Sequence, residues 1–364
     1  MAKEKKKWWW TLGVLAFILY IFAAARPIRE ETVLKPRWIT SLESSDPVNL
    51  GDFSPTGEEG QQLMPFRLGD RFGYLDDNGN FTINQIGQGN ISLSGYYWAE
   101  YEALPSSIRI MNPHGEHVMD IQRPRGYPHF MDNRIFMVGN EQNSLTALDD
   151  NGEALWTYDF PAHLTSLDAA GGYVLAGTLD GTVILLNAQG RPVFTPFEPG
   201  GSRLSVILGC AISRDASRLA IISGIDSQRF LLMEQAGDAY RVIYHESLSS
   251  GFRRPVHISF IDNDTKIAYE REGGLWIYDI ASRNSINLPL EGEIVVLDNS
   301  GGNRFFFVVT SQGPGQKRLI AIRYPGTVVV EAPYKSDTTF FARRNRSLYL
   351  GGDTAMISFE LERK

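Results

Sequence analysis

Apolar and polar residues alternate along most of the chain after residue 63. Alternating segments rich in Val, Ile, Phe and Tyr predict β-strands, and the Asn, Asp and Gly clusters between them predict tight turns. One pattern, a strand followed by a polar turn and a second strand, recurs at 72–83, 108–121, 145–158, 183–196, 230–244, 275–288 and 319–332. Because no amphipathic helix of useful length interrupts these copies, the sequence predicts an all-β fold.

A second pair of strands precedes most copies of this hairpin, for example at 164–178, 210–224 and 257–270. The two pairs make a four-stranded unit, and successive copies of the hairpin start 36 to 47 residues apart. Four-stranded repeats with a period of about 40–45 residues are typical of a β-propeller. The sequence therefore predicts a β-propeller, and a β-sandwich or a β-helix is the alternative left open.

The number of blades depends on how the two ends of the repeat region are counted. Six units contain all four strands, namely 91–122, 129–160, 164–198, 205–246, 255–290 and 293–334. Residues 64–86 and 338–363 each contain about three predicted strands. If these two ends join into one composite blade, no open sheet edge remains and the propeller has seven four-stranded blades. Eight blades is the alternative.

The first 25 residues differ from the rest of the chain, because four lysines and one glutamate in residues 1–7 precede an uncharged stretch at 8–25. A helix of that length would span about 27 Å, close to the hydrocarbon thickness of about 30 Å. The side chains predicted to anchor it in the membrane are Trp8, Trp9, Trp10, Leu12, Leu15, Phe17, Ile18, Leu19, Ile21 and Phe22. The lysines are expected to stay in the cytoplasm, which places the following residues in the periplasm or outside.

We expect residues 8–25 to be an uncleaved signal anchor, a single transmembrane helix in the inner membrane. The small residues at 23–25 also satisfy the rule for signal cleavage, so a cleaved signal peptide is one alternative and a buried core helix is another. Residues 26–63 contain four prolines and no clear periodicity, and they predict an extended linker. The propeller domain is then 64–364, closed by its N-terminal and C-terminal strands.

Two of the repeats carry recognisable motifs. LTALDDNGEALWTY at 145–158 and DGTVILLNAQGRPVF at 180–194 resemble the hairpin of pyrroloquinoline-quinone-type (PQQ-like) propeller repeats. SRDASRLAIIS at 213–223 is similar to a strand pair of WD40-like repeats, with Ala216 and Ser217 in place of the usual glycine. Bacterial envelope propellers of this appearance include an outer-membrane-assembly scaffold as well as alcohol and glucose dehydrogenases. The resemblance implies a fold and leaves the function open.

The residues that such dehydrogenases need are missing from the pattern. The resemblance implies a calcium ion, a tryptophan platform and often adjacent cysteines, whereas this chain has one cysteine and three of its seven tryptophans in the N-terminal stretch. Cys210 lies in an apolar strand pattern that predicts a buried, unreactive thiol. The sequence around Asp149 imitates the start of a calcium loop but lacks the glycine and glutamate at the sixth and twelfth positions. His114 and His117 have no further ligand at metal spacing except Glu116, so we expect no metal, no cofactor and no catalytic residue.

The overall charge narrows the class of partner. The chain has 35 Lys and Arg against 42 Asp and Glu, a net charge of −7. Without residues 1–25 the balance is 31 to 41, a net charge of −10. This acidic balance argues against nucleic acid as a partner and is suited to a solvated domain in the envelope.

Cationic side chains recur in the loops that enter the innermost strands of successive repeats. They are Arg123, Arg125, His129, His163, Arg203, Arg253, Arg254 and His257. Equivalent loops of a propeller open on one face, so these side chains predict a partial basic ring at the channel mouth, interrupted by Glu293 and Asp337. An ordinary polar rim with scattered charges is the alternative.

These observations favour a membrane-tethered periplasmic or envelope β-propeller that acts as a non-catalytic protein–protein interaction scaffold. Its expected partners are envelope or membrane proteins. A propeller that binds a small ligand, a glycan or an anion, and a propeller enzyme of undefined reaction, are the alternatives. The aromatic run at 96–101 would stack on sugars in a glycan-binding protein, although it also suits packing between blades.

Overall fold

The computed structural model describes residues 8, 10, 13–20, 32–43, 47–50, 63–237, 239–298 and 305–363. Contacts divide the chain into two units, Leu34–Leu361 and a second made of Met1–Val33 with Glu362–Lys364. In the second unit, helical backbone occurs at 8, 10 and 13–20.

No helix among the described residues is long and apolar enough to cross a membrane. The transmembrane helix predicted over 8–25 is therefore not supported by the described part of the chain. Of its predicted anchor residues, Trp9, Leu12, Ile21 and Phe22 lie outside the described residues, and the others are exposed.

The described strands form eight sheets, which we call blades. The first two strands in chain order, β1 (Thr32–Ser41) and β2 (Val48–Asn49), belong to the last blade. Blade 1 contains β3 (Met64–Leu68), β4 (Arg71–Leu75) and β5 (Phe81–Ile86). Blade 2 contains β6 (Asn90–Leu93), β7 (Trp98–Tyr101), β8 (Ser107–Met111) and β9 (His117–Gln122). Blade 3 contains β10 (Gly126–Met131), β11 (Arg134–Gly139), β12 (Ser144–Leu148) and β13 (Ala154–Asp159).

Blade 4 contains β14 (Leu164–Ala170), β15 (Tyr173–Thr178) and β16 (Val183–Leu186). Blade 5 contains β17 (Ile207–Ile212), β18 (Arg218–Ser223), β19 (Gln228–Ala236) and β20 (Ala239–Leu248). Blade 6 contains β21 (Ile258–Ile261), β22 (Lys266–Arg271), β23 (Gly274–Asp279) and β24 (Asn284–Pro289). Blade 7 contains β25 (Glu293–Asp298), β26 (Phe305–Gly313), β27 (Gln316–Arg323) and β28 (Thr327–Lys335). Blade 8 adds β29 (Phe340–Arg344), β30 (Ser347–Gly351) and β31 (Ala355–Arg363) to the first two strands, in the order β2-β1-β31-β30-β29.

The structure has eight blades, the alternative that the sequence left open, and not the favoured seven with one composite blade. Residues 64–86 form blade 1 as a three-stranded sheet of their own, and 338–363 pair with β1 instead. The prediction of an extended linker at 26–63 was wrong for β1, in which Arg37, Trp38 and Thr40 are buried. Arg37 donates a hydrogen bond to the Ser347 hydroxyl, 310 positions along the chain. One partner of β1, β31, lies at the opposite end of the sequence, and the other, β2, is only two residues long, so no clear hairpin pattern marks β1.

The predicted hairpin turns are confirmed, including the one considered as a calcium loop. At Asp149 the side-chain oxygen Oδ1 accepts hydrogen bonds from the backbone N–H groups of Asn151 and Glu153, at 2.9 and 2.8 Å. Gly152 has φ of 82°, which glycine adopts at little cost. Asp76, Asn112 and Asn187 make the same side-chain bonds at the equivalent turns of blades 1, 2 and 4.

Neighbouring blades are joined where a side chain of an outer strand packs on the glycine of the next turn. Trp38 of β1 donates from Nε1 to the carbonyl oxygen of Asp77 at 2.9 Å, and its ring covers Gly79 so closely that a Cβ there would lie 2.8 Å away. Trp156 of β13 repeats this on the turn of blade 4, with a bond to the Ala188 carbonyl oxygen at 2.9 Å. The repeat therefore sets the register between blades as well as within them.

Candidate functional site

The loops that enter inner strands and the turns between second and third strands lie together on one face. The backbone N–H of Arg123 donates to Ser106 at 2.9 Å, and that of Leu179 donates to His163 at 2.8 Å. Each bond joins an entering loop to a turn. We call this surface the loop face; it consists of 102–106, 123–125, 140–143, 160–163, 179–182, 198–206, 224–227, 249–257 and 272–273.

Five of the eight predicted cationic residues are exposed on the loop face: Arg123, Arg125, His163, Arg203 and Arg253. Their loops follow one another around the propeller because each sits at the start of an inner strand of blades 3 to 6. Within the described residues, no ion pair is found for Arg123, Arg125 or Arg253. Arg203 lies 3.5 Å from the Asp226 carboxylate on the same face, so its charge is partly balanced.

Arg254 is engaged in the fold instead. Its guanidinium bonds to both carboxylate oxygens of Glu270, at 2.6 and 3.1 Å, and lies 3.4 Å from Glu293. The Glu270 side chain is only 4% exposed, whereas that of Arg254 is 37% exposed. The hydrogen bonds that Arg254 donates to Glu270 raise the pKa of Arg254 above its usual value. The Glu270 pair therefore lies within blade 6, the Glu293 contact reaches blade 7, and Arg254 is not free to bind a partner.

The two remaining predicted histidines are also turned toward the fold. His257 Nε2 lies 3.1 Å from the Ile294 carbonyl oxygen, which links the entry to β21 with β25. His129 lies within β10, paired with Phe136, and is half-buried. Burial lowers the pKa of His129, so its imidazole is neutral at neutral pH.

Three leucines on the loop face escaped sequence analysis. Leu104 is 85% exposed, Leu179 is 51% exposed and Leu204 is 58% exposed. Each lies in a loop between strands, where an alternating pattern cannot distinguish an apolar residue that faces solvent from one that begins a strand. A detectable signal was present, because proline, glycine or serine flanks each of them in the sequence.

The exposed leucines and cations follow one another along blades 2 to 5. Backbone bonds connect Asn140 with Arg125 at 3.2 Å and Leu164 with Gln142 at 2.6 Å, and the close approach of Gly181 to Ser205 continues the contact into blade 5. We call this surface the apolar–basic strip; it consists of Leu104, Arg123, Arg125, His163, Leu179, Arg203 and Leu204. Acidic side chains border it, including the exposed Glu102 and Glu141.

A cavity of about 550 Å³ lies between the inner strands of blades 8, 1, 2 and 3. It is lined by Pro65, Phe66, Arg67, Ile91, Ser92, Leu93, Tyr101, Tyr127, Pro128, His129, Phe130 and Phe340. Most of these side chains are apolar or aromatic, and none is a carboxylate. His129, which was predicted for the channel mouth, thus belongs to the cavity.

Polar contacts order part of this lining. The Ser92 hydroxyl donates to the Pro128 carbonyl oxygen at 2.6 Å and lies 3.1 Å from the Tyr101 hydroxyl. Arg67 donates from Nη1 to the Ile91 carbonyl oxygen at 3.1 Å. Burial, followed by the proximity of Tyr101, raises the pKa of Tyr127, so this phenol keeps its proton.

Two side chains outside the loop face and the cavity, a thiol and a carboxylate, have pKa values that are shifted by burial. Cys210 is buried as predicted, and burial raises the pKa of its thiol to about 12. Burial also raises the pKa of Asp168 to about 6, although this carboxylate accepts the Ile212 N–H across the boundary of blades 4 and 5 at 2.9 Å. Within the described residues, no group of three His, Cys, Asp or Glu side chains is placed to hold a metal ion.

Comparisons with known proteins agree with this architecture. A family model described as a β-propeller protein matches residues 1–363. A protein of Treponema pallidum (strain Nichols), described as uncharacterised, is 27% identical over 295 residues, which cover 80% of this chain and 78% of that protein.

Solved structures are similar at lower identity. BamB from Moraxella catarrhalis is 13% identical with a TM-score of 0.58, over 90% of this chain and 100% of that one. The Dos1 propeller is 12% identical with a TM-score of 0.57, over 90% and 95% of the two chains. The apo form of AztD from Citrobacter koseri is 13% identical with a TM-score of 0.54, over 80% and 88%. Such identities show the fold alone; they confirm the predicted likeness to envelope propellers in fold, while the finer likeness to PQQ-like and WD40-like repeats stays a prediction.

Proposed function

The chain belongs to a family of β-propeller proteins, and we propose that its propeller is a non-catalytic scaffold that binds other proteins through the apolar–basic strip. The observation that carries this proposal is the exposure of Leu104, Leu179 and Leu204 on one face. Single exposed leucines are common on protein surfaces, but several along one rim are typical of an interaction surface. Binding a partner would remove their side chains from water.

The charges on the strip favour a particular kind of partner. Arg123 and Arg125 lie on the same strip as Leu104 and Leu179 and have no ion pair in the described part of the chain. Although the chain has a net charge of −7, this local concentration of cations attracts acidic surfaces. The partner is therefore an acidic protein segment with apolar side chains, carried by an envelope or membrane protein.

The strip also has the composition expected of a binding surface. Arginines are enriched at the centres of protein interfaces, whereas lysines are depleted there. The strip contains three arginines, three leucines and no lysine. Because it lies on loops that a rigid sheet holds in place, binding requires little ordering of the backbone.

The second part of the proposal is location. Residues 8–25 would tether the propeller to the inner membrane, with the lysines of 1–7 in the cytoplasm and the strip in the periplasm or outside. Extraction with carbonate at high pH and proteolysis of intact spheroplasts test this arrangement. Release of the full chain by carbonate, or protection of the propeller from external protease, would contradict it.

The decisive experiment for the scaffold compares matched variants of the tagged full-length chain. After mild crosslinking in cells, we expect Leu104→Ser with Leu179→Ser to lose most of the protein captured by the wild type. Leu155→Ser is the control, because Leu155 is 63% exposed on the outer strand β13, away from the loop face.

The charge requirement has its own pair of variants. Arg123→Glu with Arg125→Glu should reduce capture as strongly as the leucine changes. Arg191→Glu, an exposed arginine in a turn between outer strands, should have no effect. If the strip variants and the controls capture the same partners in the same amounts, the strip is not the binding surface and the proposal fails.

A further inference from the structure

We propose that the cavity between β3, β6, β10 and β29 is a binding site for a small organic carboxylate with an aromatic or branched apolar body. This inference does not rest on the scaffold function, because the cavity is built from strands and shares no residue with the apolar–basic strip.

The size and lining of the cavity suit such a ligand. Its volume of about 550 Å³ lies within the range of about 300–1,000 Å³ that is usual for small-molecule sites. Phe66, Phe130 and Phe340 approach it from three different inner strands. Their rings are held by further aromatic contacts, since Phe66 lies 6.4 Å from Phe340 and Phe130 lies 5.8 Å from Tyr97. A preformed apolar wall of this kind binds an apolar group without reorganisation.

The charge of the site is positive. Arg67 lines the cavity, and its described hydrogen bonds go to backbone carbonyl oxygens, from Nε to Gly69 at 3.3 Å and from Nη1 to Ile91 at 3.1 Å. These bonds orient the guanidinium without neutralising it, because a carbonyl carries no net charge. Among the described residues that line the cavity there is no carboxylate and His129 is neutral, so Arg67 supplies the full charge of this lining. A guanidinium in this position favours a carboxylate, to which it can donate two parallel hydrogen bonds.

The hydroxyl groups complete the recognition pattern. Ser92 donates its single proton to the Pro128 carbonyl oxygen, so its bond with Tyr101 uses the proton of Tyr101. Tyr127 also lines the cavity, and because burial raises its pKa, the phenol keeps its proton and can donate it in a hydrogen bond. One cation and one phenol donor beside aromatic walls therefore select an anionic oxygen group attached to an apolar body.

A series of three isosteric probes tests the site on the full-length protein. We would titrate 3-phenylpropionate, 3-phenylpropionamide and 3-phenylpropylamine by calorimetry and by saturation-transfer NMR. The expected result is saturable one-to-one binding of the carboxylate, with the neutral amide at least about tenfold weaker and the amine weaker still.

Two variants locate the binding. Arg67→Gln keeps a polar, though shorter, side chain and removes its charge, and should weaken binding of the carboxylate at least about tenfold while leaving that of the amide unchanged. Arg123→Gln on the loop face is the matched control and should leave binding unchanged. Circular dichroism and thermal unfolding establish that both variants are folded.

Three outcomes would overturn the inference. They are the absence of saturable binding for all three probes, equal affinity for carboxylate and amide, and carboxylate binding that Arg67→Gln leaves intact. Each is separable from failure of the scaffold, because Arg67→Gln leaves the apolar–basic strip untouched and partner capture by that variant should equal that of the wild type.

Discussion

The blades at the two sides of the propeller are joined by different chemistry. From blade 8 to blade 4, an outer-strand side chain packs on the glycine of the next turn, in the pairs Trp38–Gly79, Ile83–Gly115, Met119–Gly152 and Trp156–Gly190. Between blades 5 and 6 the junction is a cluster of rings instead. Phe230 stacks on Tyr269 with centroids 4.5 Å apart, and Tyr244 stacks on Tyr278 at 4.2 Å.

This difference explains why some repeats are easy to recognise and others are divergent. A turn that must accept a tryptophan ring against its backbone needs glycine with positive φ, and Gly79 and Gly190 have φ of 89° and 72°. Junctions made of rings or ion pairs impose no such constraint on the turn. One half of the propeller thus repeats the same contact between neighbouring blades, whereas the contacts between blades in the other half differ from one another.

The largest expected effect concerns the repeated junction. Trp38 is fully buried and Trp156 is half-buried, although both make the same hydrogen bond. We expect Trp38→Ala to lower the free energy of unfolding by about 3–5 kcal/mol and Trp156→Ala by about 1–2 kcal/mol. Urea denaturation of the two variants measures both values. Equal losses would show that the shared bond, and not burial, determines the strength of the junction.

A smaller effect is expected at Arg254, which pairs with Glu270 within blade 6 and lies 3.4 Å from Glu293 of blade 7. Arg254→Met leaves the carboxylate of Glu270, which is 4% exposed, without its cation. Because the Arg254 side chain is 37% exposed and partly screened, we expect a loss of about 2 kcal/mol, below that of a fully buried pair.

Its neighbour provides the control. Arg253→Met changes an exposed arginine without a described ion pair, and the free energy of unfolding should change by less than about 0.5 kcal/mol. If Arg253→Met destabilises the protein as much as Arg254→Met, the pair with Glu270 is not what stabilises this part of the fold.

The smallest effect depends on pH and lies at the boundary of blades 4 and 5. Burial raises the pKa of Asp168 to about 6, above its value of about 3.9 in the unfolded chain. The folded state therefore binds this proton more tightly, and the contribution to stability is present below about pH 4 and lost as pH rises through 6. Asp168→Asn removes this titration.

Urea denaturation at pH 4.5 and 7.5 tests the sign. Between these values, the wild type should lose about 1–2 kcal/mol more stability than Asp168→Asn, after allowance for the partial exposure of the side chain. An equal pH dependence in the two proteins, or a greater loss in the variant, would contradict the assignment.

Part of the candidate site could not be predicted, because it depends on contacts between residues that are far apart in the sequence. The loops carrying Arg123, Arg125, His163, Arg203 and Arg253 were predicted to lie on one face, and their placement agrees. The pattern did not distinguish Arg253 from its neighbour Arg254, because only the fold brings Glu270 and Glu293 to the latter. Nor did it assign His129 to the cavity, which requires four inner strands to converge.

The sequence alone determined the all-β repeat, the positions of the hairpin turns and the burial of Cys210, because alternation and turn residues act over a few neighbouring positions. Only the tertiary structure decided that there are eight blades, that β1 enters the last one, which leucines face solvent and which cations are already paired. These features depend on residues that meet through space, as Arg37 and Ser347 do across 310 positions, and local patterning carries no record of such partners.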